Sequence, residues 1–429
     1  MSKTRLIRPV IPMAEAPRPL LPDVGVLALV PDPWNSVWQA RHQVLTRLAR
    51  YFHVVWINPA RTWRRLLRGS PATPVASHDV SARNGLSVYE PEFWLPLFYR
   101  PSRLAMLTRN ARLDRAKKLL VQRGCRTIVL YVWRPEFVTA LDSARFERIY
   151  YHIDDEYSFS DIDGPISDAE RRLIQSADQV FIGSPALMAK KGTINTHTAF
   201  APNGTDYAAY AADAPEPPDI ASIPRPRIGY TGIVKRQLDW SMLKWLSSTR
   251  PAWSFVFVGP VQEHVGTQRA VDELSRRPNV HFLGLKTPNQ LGAYPRHFDV
   301  CLMPYRIDDY TKYIYPLKLH EYLASGQPVV AAHIQSIEEF KNVLTVVDRM
   351  GGWPAAIEDA LAPAANSPER RRARQAVARL HDWNLLVDRM AKTMAARLAP
   401  EYLGRLEQAV AAESIEVGSK SVACRSIPI

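Results

Sequence analysis

Cysteine is scarce in this 429-residue chain: Cys125, Cys301 and Cys424 lie far apart. They make no metal-ligand pattern, and an odd count argues against a disulfide framework, so a reducing compartment is expected. Long apolar runs are missing too. No stretch reaches the roughly 18 apolar residues that a membrane-spanning helix needs. The start, MSKTRLIRPVIPMAEAPRPLLPD, places charges and five prolines where a secretory signal would have an unbroken apolar core. Residues 1–22 therefore read as a flexible lead-in to a cytoplasmic protein.

Several chemical signatures are also absent. There is no G-x-x-x-x-G-K-[ST] to grip a triphosphate and no G-x-G-x-x-G dinucleotide fingerprint. There is no G-x-S-x-G elbow and no H-E-x-x-H zinc pair. Acidic residues are few in the first third: residues 1–150 hold 24 Lys+Arg against 10 Asp+Glu, so that segment carries +14 and the remainder −1. Such an excess suits an anionic partner, whether phosphate, polyanion or membrane surface; solvated arginines are the plain alternative.

What is present is a regular α/β rhythm. The hydrophobic fraction of 46% is that of a globular protein, and the length allows two domains. Val24–Val30 reads as a buried strand, Val37–Tyr51 as an amphipathic helix and His53–Asn58 as the next strand, a β–α–β unit. Thr127–Val132, Arg148–Ile153 and Gln179–Ile182 extend the series, with helices over 104–123 and 168–177. Residues 23–212 are thus expected to form one doubly wound domain. Residues 213–227 hold five prolines in fifteen positions and predict a stiff, solvated connector. The rhythm restarts over 228–384, with strands near 227–230, 254–258, 280–283, 299–304, 329–332 and 344–347. A long helix is expected over 385–412, then a disordered tail over 413–429. Two such domains would face each other across a cleft beyond the carboxyl ends of their strands.

The most informative stretch is YIYPLKLHEYLASGQPVVAAH, residues 313–333. Pro316 suits a first helical turn, and Leu317, Leu319, Tyr322 and Leu323 recur at helical spacing. Lys318 and Glu321 share one side. Gly326 stands where a left-handed C-cap belongs, and Val329–Ala332 reads as a short buried strand. A charged pair ahead of such a stop suits a ligand-facing helix; a surface ion pair is the plain alternative.

Together with APNGTD (201–206), GYTGIVKRQLDW (229–240), FVFVGP (255–260), NVHFLG (279–284) and DVCLMPY (299–305), this stretch resembles the GT-B glycosyltransferases of the family 1/family 4-like group. PWNSVWQARHQVLTRLA (33–49) and ADQVFIGSPAL (177–187) match more loosely. The resemblance implies two Rossmann-like domains and a C-terminal helix crossing back to the first. It implies that Glu321 accepts ribose hydroxyls and Lys318 neutralises the diphosphate of a nucleotide-sugar. Gly232, Lys235 and Arg236 would complete a diphosphate cradle. Gly259 would lie near the base, Gly284 in the loop that holds it, and Leu317 beside the donor. Many relatives carry a second acid eight residues before the first. Here that position is Tyr313, so no stereochemistry is assigned.

In the first half, Asp154, Asp155 and Glu156 follow a strand, where adjacent acids need solvation, a metal or a task. YYHIDDEYSF resembles a strand–Asp segment of the xanthan glucuronosyltransferase, a GT-B enzyme with an Asp as general base. Asp155, with Asp154 as second choice, is the candidate base; a helix cap or solvated loop is the alternative. Trp34 and His42 are placed on the acceptor side, His42 with a plain surface role as its alternative, and His152 is expected to pack beside its strand. Arg61–Arg68 and Phe93–Leu107 mix bulky apolar and basic residues, as a segment on anionic lipid would.

The expected function is transfer of a sugar from a UDP- or GDP-linked donor to a saccharide or lipid-linked acceptor in bacterial surface polysaccharide synthesis. No cofactor or metal is expected, since cations can replace one, and no nucleic acid partner. The expected location is cytoplasmic and peripheral on the inner membrane face. The competing readings are a GT-B-fold sugar-nucleotide epimerase and a non-catalytic polyanion- or membrane-binding protein of the same fold.

Overall fold

Two parallel sheets, one in each half of the chain, organise the computed structural model, which describes residues 18–62, 85–143, 145–160 and 162–423. The first contains β1 (Val24–Leu29), β2 (His53–Ile57), β3 (Leu86–Tyr89), β4 (Thr127–Val132), β5 (Ile149–Ile153), β8 (Gln179–Ile182) and β9 (Thr198–Phe200), with a small hairpin of β6 (Phe159–Ser160) and β7 (Ile162–Asp163) beside it. Its order is β3-β2-β1-β4-β5-β8-β9. The second contains β10 (Arg227–Thr231), β11 (Ser254–Val258), β12 (Val280–Phe282), β13 (Val300–Met303), β14 (Val329–Ala332) and β15 (Thr345–Val347), ordered β12-β11-β10-β13-β14-β15. Val26 lies level with Val54 and Val129, and Gly229 with Val256 and Cys301. These strands are continuous apolar runs because helices cover both faces of each sheet.

In each sheet the order reverses at one point, between β1 and β4 and between β10 and β13. Loops leaving those neighbours turn to opposite faces and open a crevice at their carboxyl ends. The helices that matter to the site are α1 (Ala40–Leu48), α2 (Ser102–Gln122), α3 (Lys318–Ser325), α4 (Trp383–Leu398) and α5 (Pro400–Ala423).

The chain's last helices pack on the first domain. Trp383, Leu386, Val387, Met390 and Met394 of α4 join the core formed by Val26, Val54 and Tyr131. Burying each is worth roughly 1.5–3 kcal/mol, enough to hold the crossing without a covalent tie. The Tyr150 hydroxyl donates to the Met394 carbonyl at 2.8 Å.

The expected single helix over 385–412 is instead two. Ala399 is extended because Pro400 excludes the helical conformation from the residue before it. The expected tail at 413–429 is helical to Ala423. The connector at 213–227 is less solvated than its prolines suggest. Ile220 and Ile223 enter the second core, and Arg227 pairs with Glu216 while opening β10. Helix α3 begins at Lys318, leaving Pro316 just ahead of it. Most of the basic segment expected at 61–68 lies outside the described residues, as do residues 1–17 of the lead-in.

Candidate functional site

A cavity of about 560 Å³ lies between the two switch points and takes walls from both domains. Of the residues singled out in the sequence, Asp154, Asp155, Gly232, Lys235, Gly259, Leu317, Lys318 and Glu321 line it.

The second-domain wall is a backbone platform. Gly232 and Gly259 follow β10 and β11 with φ of +114° and +144°. The Gly232 N–H donates to the Val258 carbonyl and the Gly259 N–H to the Gly284 carbonyl, at 2.8 and 2.9 Å. A Cβ on Gly259 would stand 2.1 Å from the Gly232 oxygen, so the two loops touch only because residue 259 is glycine. A Cβ on Gly232 would lie 3.5 Å from the Lys318 amine, which places that cation over the platform.

Helix α3 is held from several sides. The Tyr322 hydroxyl accepts the Thr231 N–H at 2.7 Å, tying the helix to the end of β10. The Asn203 amide donates to the Tyr315 carbonyl at 2.6 Å, and the buried Arg374 donates to the Gly326 carbonyl at 2.9 Å. Gly326 adopts the left-handed cap at φ +78°. Lys318 donates to the Tyr305 hydroxyl at 2.8 Å and lies 4.8 Å from the centre of the Tyr230 ring. Burial pushes its amine down to about 8, opposed by the Glu321 charge. Burial pushes Glu321 up to about 7, opposed by Lys318 and by a hydrogen bond from Tyr210. Burial also lowers Lys235. A multiply charged ligand would restore the full charge of both amines.

The first-domain wall separates the three acids after β5. Glu156 turns inward and meets Lys190 and Lys191, each at 3.2 Å; Lys191 also holds Glu170 at 2.7 Å. Asp154 accepts from the Tyr157 hydroxyl and faces Arg41 at 3.7 Å. Asp155 reaches the cleft. The Tyr310 hydroxyl, from the second domain, lies 3.0 Å from both of its carboxylate oxygens. Burial, then the Asp154 charge, pushes Asp155 above the usual carboxylate range. Asp155 thus lines the cleft and is raised in basicity.

Four expectations are corrected. Trp34 and His42 are core residues, 2% and 0% exposed, and do not line the cleft. His42 is stacked on Trp38 at 4.8 Å and lies 4.6 Å from Trp56. Its Nδ1 accepts the Gln39 N–H, so its Nε2 carries the proton and donates to the Trp34 carbonyl at 3.1 Å. That is neither an acceptor contact nor a surface histidine. Arg236 is exposed outside the cavity lining, its N–H donating to Gln262. Gly284 supports the platform through its carbonyl but does not line the cavity. His152 packs as expected, stacked 4.0 Å from Trp133.

The first-domain wall of the cavity is instead lined by Trp38, Gln39, Arg41 and Arg134. Arg41 is held by Asp32 and Gln39, both at 2.8 Å, and Arg134 lies 4.7 Å from the Tyr157 ring centre. The Nε atoms of both arginines have no hydrogen-bond partner among the described residues. Arg134 was findable, since it stands two residues past the end of β4 at the switch point. Trp38 and Arg41 required the true phase of α1. Tyr310 acts across the cleft, and nothing local marks it.

Residues 225–364 match the family model described as "Glycosyl transferases group 1". Over 239 residues the chain is 32% identical to the putative teichuronic acid biosynthesis glycosyltransferase TuaH of Bacillus subtilis (strain 168), covering 53% of this chain and 59% of that protein. The chain therefore spans less than two thirds of that relative's length. Among solved structures, Anabaena HepE in complex with UDP and glucose superposes with a TM-score of 0.60 at 16% identity, over 87% of this chain and 99% of that one. A Rickettsia africae glycosyltransferase superposes with a TM-score of 0.62 at 11% identity, over 88% and 99%. These structural likenesses speak to fold. The chain has the GT-B fold, and residues 225–364 resemble the group 1 glycosyltransferases.

Proposed function

We propose that this protein transfers a sugar from a nucleotide-sugar to a saccharide acceptor during synthesis of a cell-surface polysaccharide. One observation carries the reading: Lys318, the Gly232 backbone and Glu321 converge on one wall of the cleft, with Asp155 on the other. Glu321 would accept the ribose hydroxyls, while Lys318 and Lys235 would face the diphosphate. Two amines whose charged forms are disfavoured by burial gain from a ligand that brings negative charge.

The acceptor hydroxyl would attack the anomeric carbon as the bond from that carbon to the diphosphate oxygen breaks. The leaving nucleoside diphosphate takes the electron pair, and Lys318 and Lys235 stabilise the charge that develops there. The acceptor proton would pass to Asp155, whose raised basicity suits it. Tyr310 now occupies both Asp155 oxygens, so the acceptor must displace or share that hydroxyl. The buried, unpartnered Nε groups of Arg41 and Arg134 would be satisfied by acceptor oxygens. No metal is invoked, because the lysines supply the positive charge. The UDP bound by HepE favours a UDP-linked sugar, and the teichuronic acid pathway named for TuaH favours a surface polysaccharide as product; a cytoplasmic setting with a lipid-carried acceptor at the inner membrane face is the location this proposal takes.

A panel of nucleotide-sugars tested for thermal stabilisation and slow hydrolysis checks the proposal. At least one should raise the Tm of the wild type and release free nucleotide, and Lys318→Ala should abolish both. A panel with neither effect on the wild type overturns it.

A further inference from the structure

The carboxyl ends of β1, β4 and β5 feed the cleft, and those of β2 and β3 open on the same edge of the same parallel sheet. The loop from Glu90 to Pro101, after β3, presents a group of aromatic side chains to solvent. Phe93 is 72% exposed, Trp94 57% and Tyr99 76%. Phe200 is the one other exposed aromatic among the large exposed hydrophobics of the described residues, so three of four fall within seven positions. The Phe93 and Trp94 rings pack edge to face, 4.8 Å apart, against each other rather than into the core.

This exposure is built into the loop. The buried Arg112 donates to the carbonyls of Leu95 and Pro96, both at 2.9 Å. The Leu97 N–H donates to the Arg61 carbonyl at 2.9 Å. The chain then enters α2, whose first two turns show Arg103, Met106 and Leu107 outward on one face. Helix α2 holds six Lys+Arg against one Asp. Arg100 and Arg103 are exposed and make no hydrogen bond or ion pair among the described residues. The rim acids are engaged internally, Glu92 with Arg115 and Tyr89, and Glu90 with Asn58.

We infer that this rim, Phe93, Trp94, Tyr99, Arg100, Arg103 and Leu107, is a docking surface for an anionic lipid bilayer. Aromatic rings on a pinned loop would enter the headgroup layer, and the arginines would meet lipid phosphates. No helix of the described residues is long and apolar enough to cross a membrane, so the contact would be peripheral. Because the rim shares its sheet edge with the cleft, docking there would bring the acceptor wall to the bilayer surface. The inference rests on surface chemistry and stands apart from sugar transfer.

The test is co-sedimentation of the full chain with phosphatidylglycerol-containing vesicles and with pure phosphatidylcholine vesicles. The wild type should bind the anionic vesicles and leave the neutral ones. The triple variant Phe93→Ser, Trp94→Ser, Tyr99→Ser should lower the affinity roughly tenfold or more. Arg100→Ala with Arg103→Ala should lower it by about fivefold per arginine, with a weaker dependence on salt. Each variant should keep the wild-type Tm and its response to nucleotide-sugar, which separates a failure here from a failure of the cleft. Wild-type protein that ignores anionic vesicles overturns the inference. So does a triple variant that binds as the wild type does, or a wild-type dimer that this variant turns into monomer without changing vesicle binding.

Discussion

The two walls of the cleft are built by different means. The second-domain wall is largely backbone: glycine loops after β10 and β11, braced against each other and against Gly284, with α3 laid alongside by Tyr322. Its chemistry sits on a Lys and a Glu three residues apart on one helix. The first-domain wall is largely side chains from three separate segments: Gln39 and Arg41 at the start of α1, Arg134 after β4, Asp154 and Asp155 after β5. A wall made of backbone suits a ligand part that recurs, such as a diphosphate, whereas a wall of long side chains can be varied residue by residue. The difference teaches that the second-domain wall is set by local geometry and the first-domain wall by packing between elements.

That contrast can be broken in order of expected effect. Asp155→Asn should lower transfer by about 10²–10⁴-fold, as loss of a general base does, while nucleotide-sugar stabilisation stays intact. Unchanged transfer would remove Asp155 from the mechanism and leave the donor wall standing. Lys318→Ala should lower kcat by roughly 10²–10³, and it should also weaken nucleotide binding, a pairing that Asp155→Asn does not show. Glu321→Gln keeps the shape of the site and removes a charged acceptor. Affinity for the nucleotide-sugar, measured by calorimetry, should fall by about 10–100-fold, the worth of a hydrogen bond to a charged group.

The pH dependence sharpens the same comparison. Folding lowers the Lys318 amine to about 8 through burial. The empty protein therefore gains stability from this group as pH rises from about 8 toward the free-lysine value of about 10.4. A bound diphosphate needs the amine charged. The rise in Tm produced by nucleotide should shrink across that window, and a constant rise would exclude Lys318 from the contact. The smallest effect is at Tyr310. Its hydroxyl favours the charged form of Asp155 and so holds the pKa down against burial. Tyr310→Phe should move the acid limb of kcat/KM to higher pH, by about one unit or less, with a few-fold change at the plateau. An unmoved limb would separate Tyr310 from Asp155.

Several elements were legible because they depend on neighbours in sequence. Thr127–Val132, Gln179–Ile182, Ser254–Val258 and Val329–Ala332 are strands at the expected bounds. Gly326 is the left-handed cap its position announced. Other readings failed where a side chain's surroundings come from elsewhere in the chain. His42 stands on an amphipathic helix, yet Trp34 and Trp56 enclose it from a loop and from another strand. Glu156 looked equivalent to Asp154 and Asp155 until Lys190 and Lys191 drew it inward. Tyr313 stands where many relatives have an acid, and its hydroxyl crosses to Asp163 of the first domain at 2.6 Å.

By itself, the sequence determined the α/β alternation, the division into two α/β halves and the helix that carries Lys318 and Glu321 to its glycine stop. Strand and helix periods, proline placement and cap residues act over a few positions, and local physics suffices to read them. The tertiary structure alone decided which of the three acids turns inward, which arginines line the first-domain wall and that Tyr310 spans to Asp155. Those outcomes depend on burial and on groups brought together from well beyond one element, from the 34 positions between Glu156 and Lys190 to the 155 between Asp155 and Tyr310. No local period encodes them.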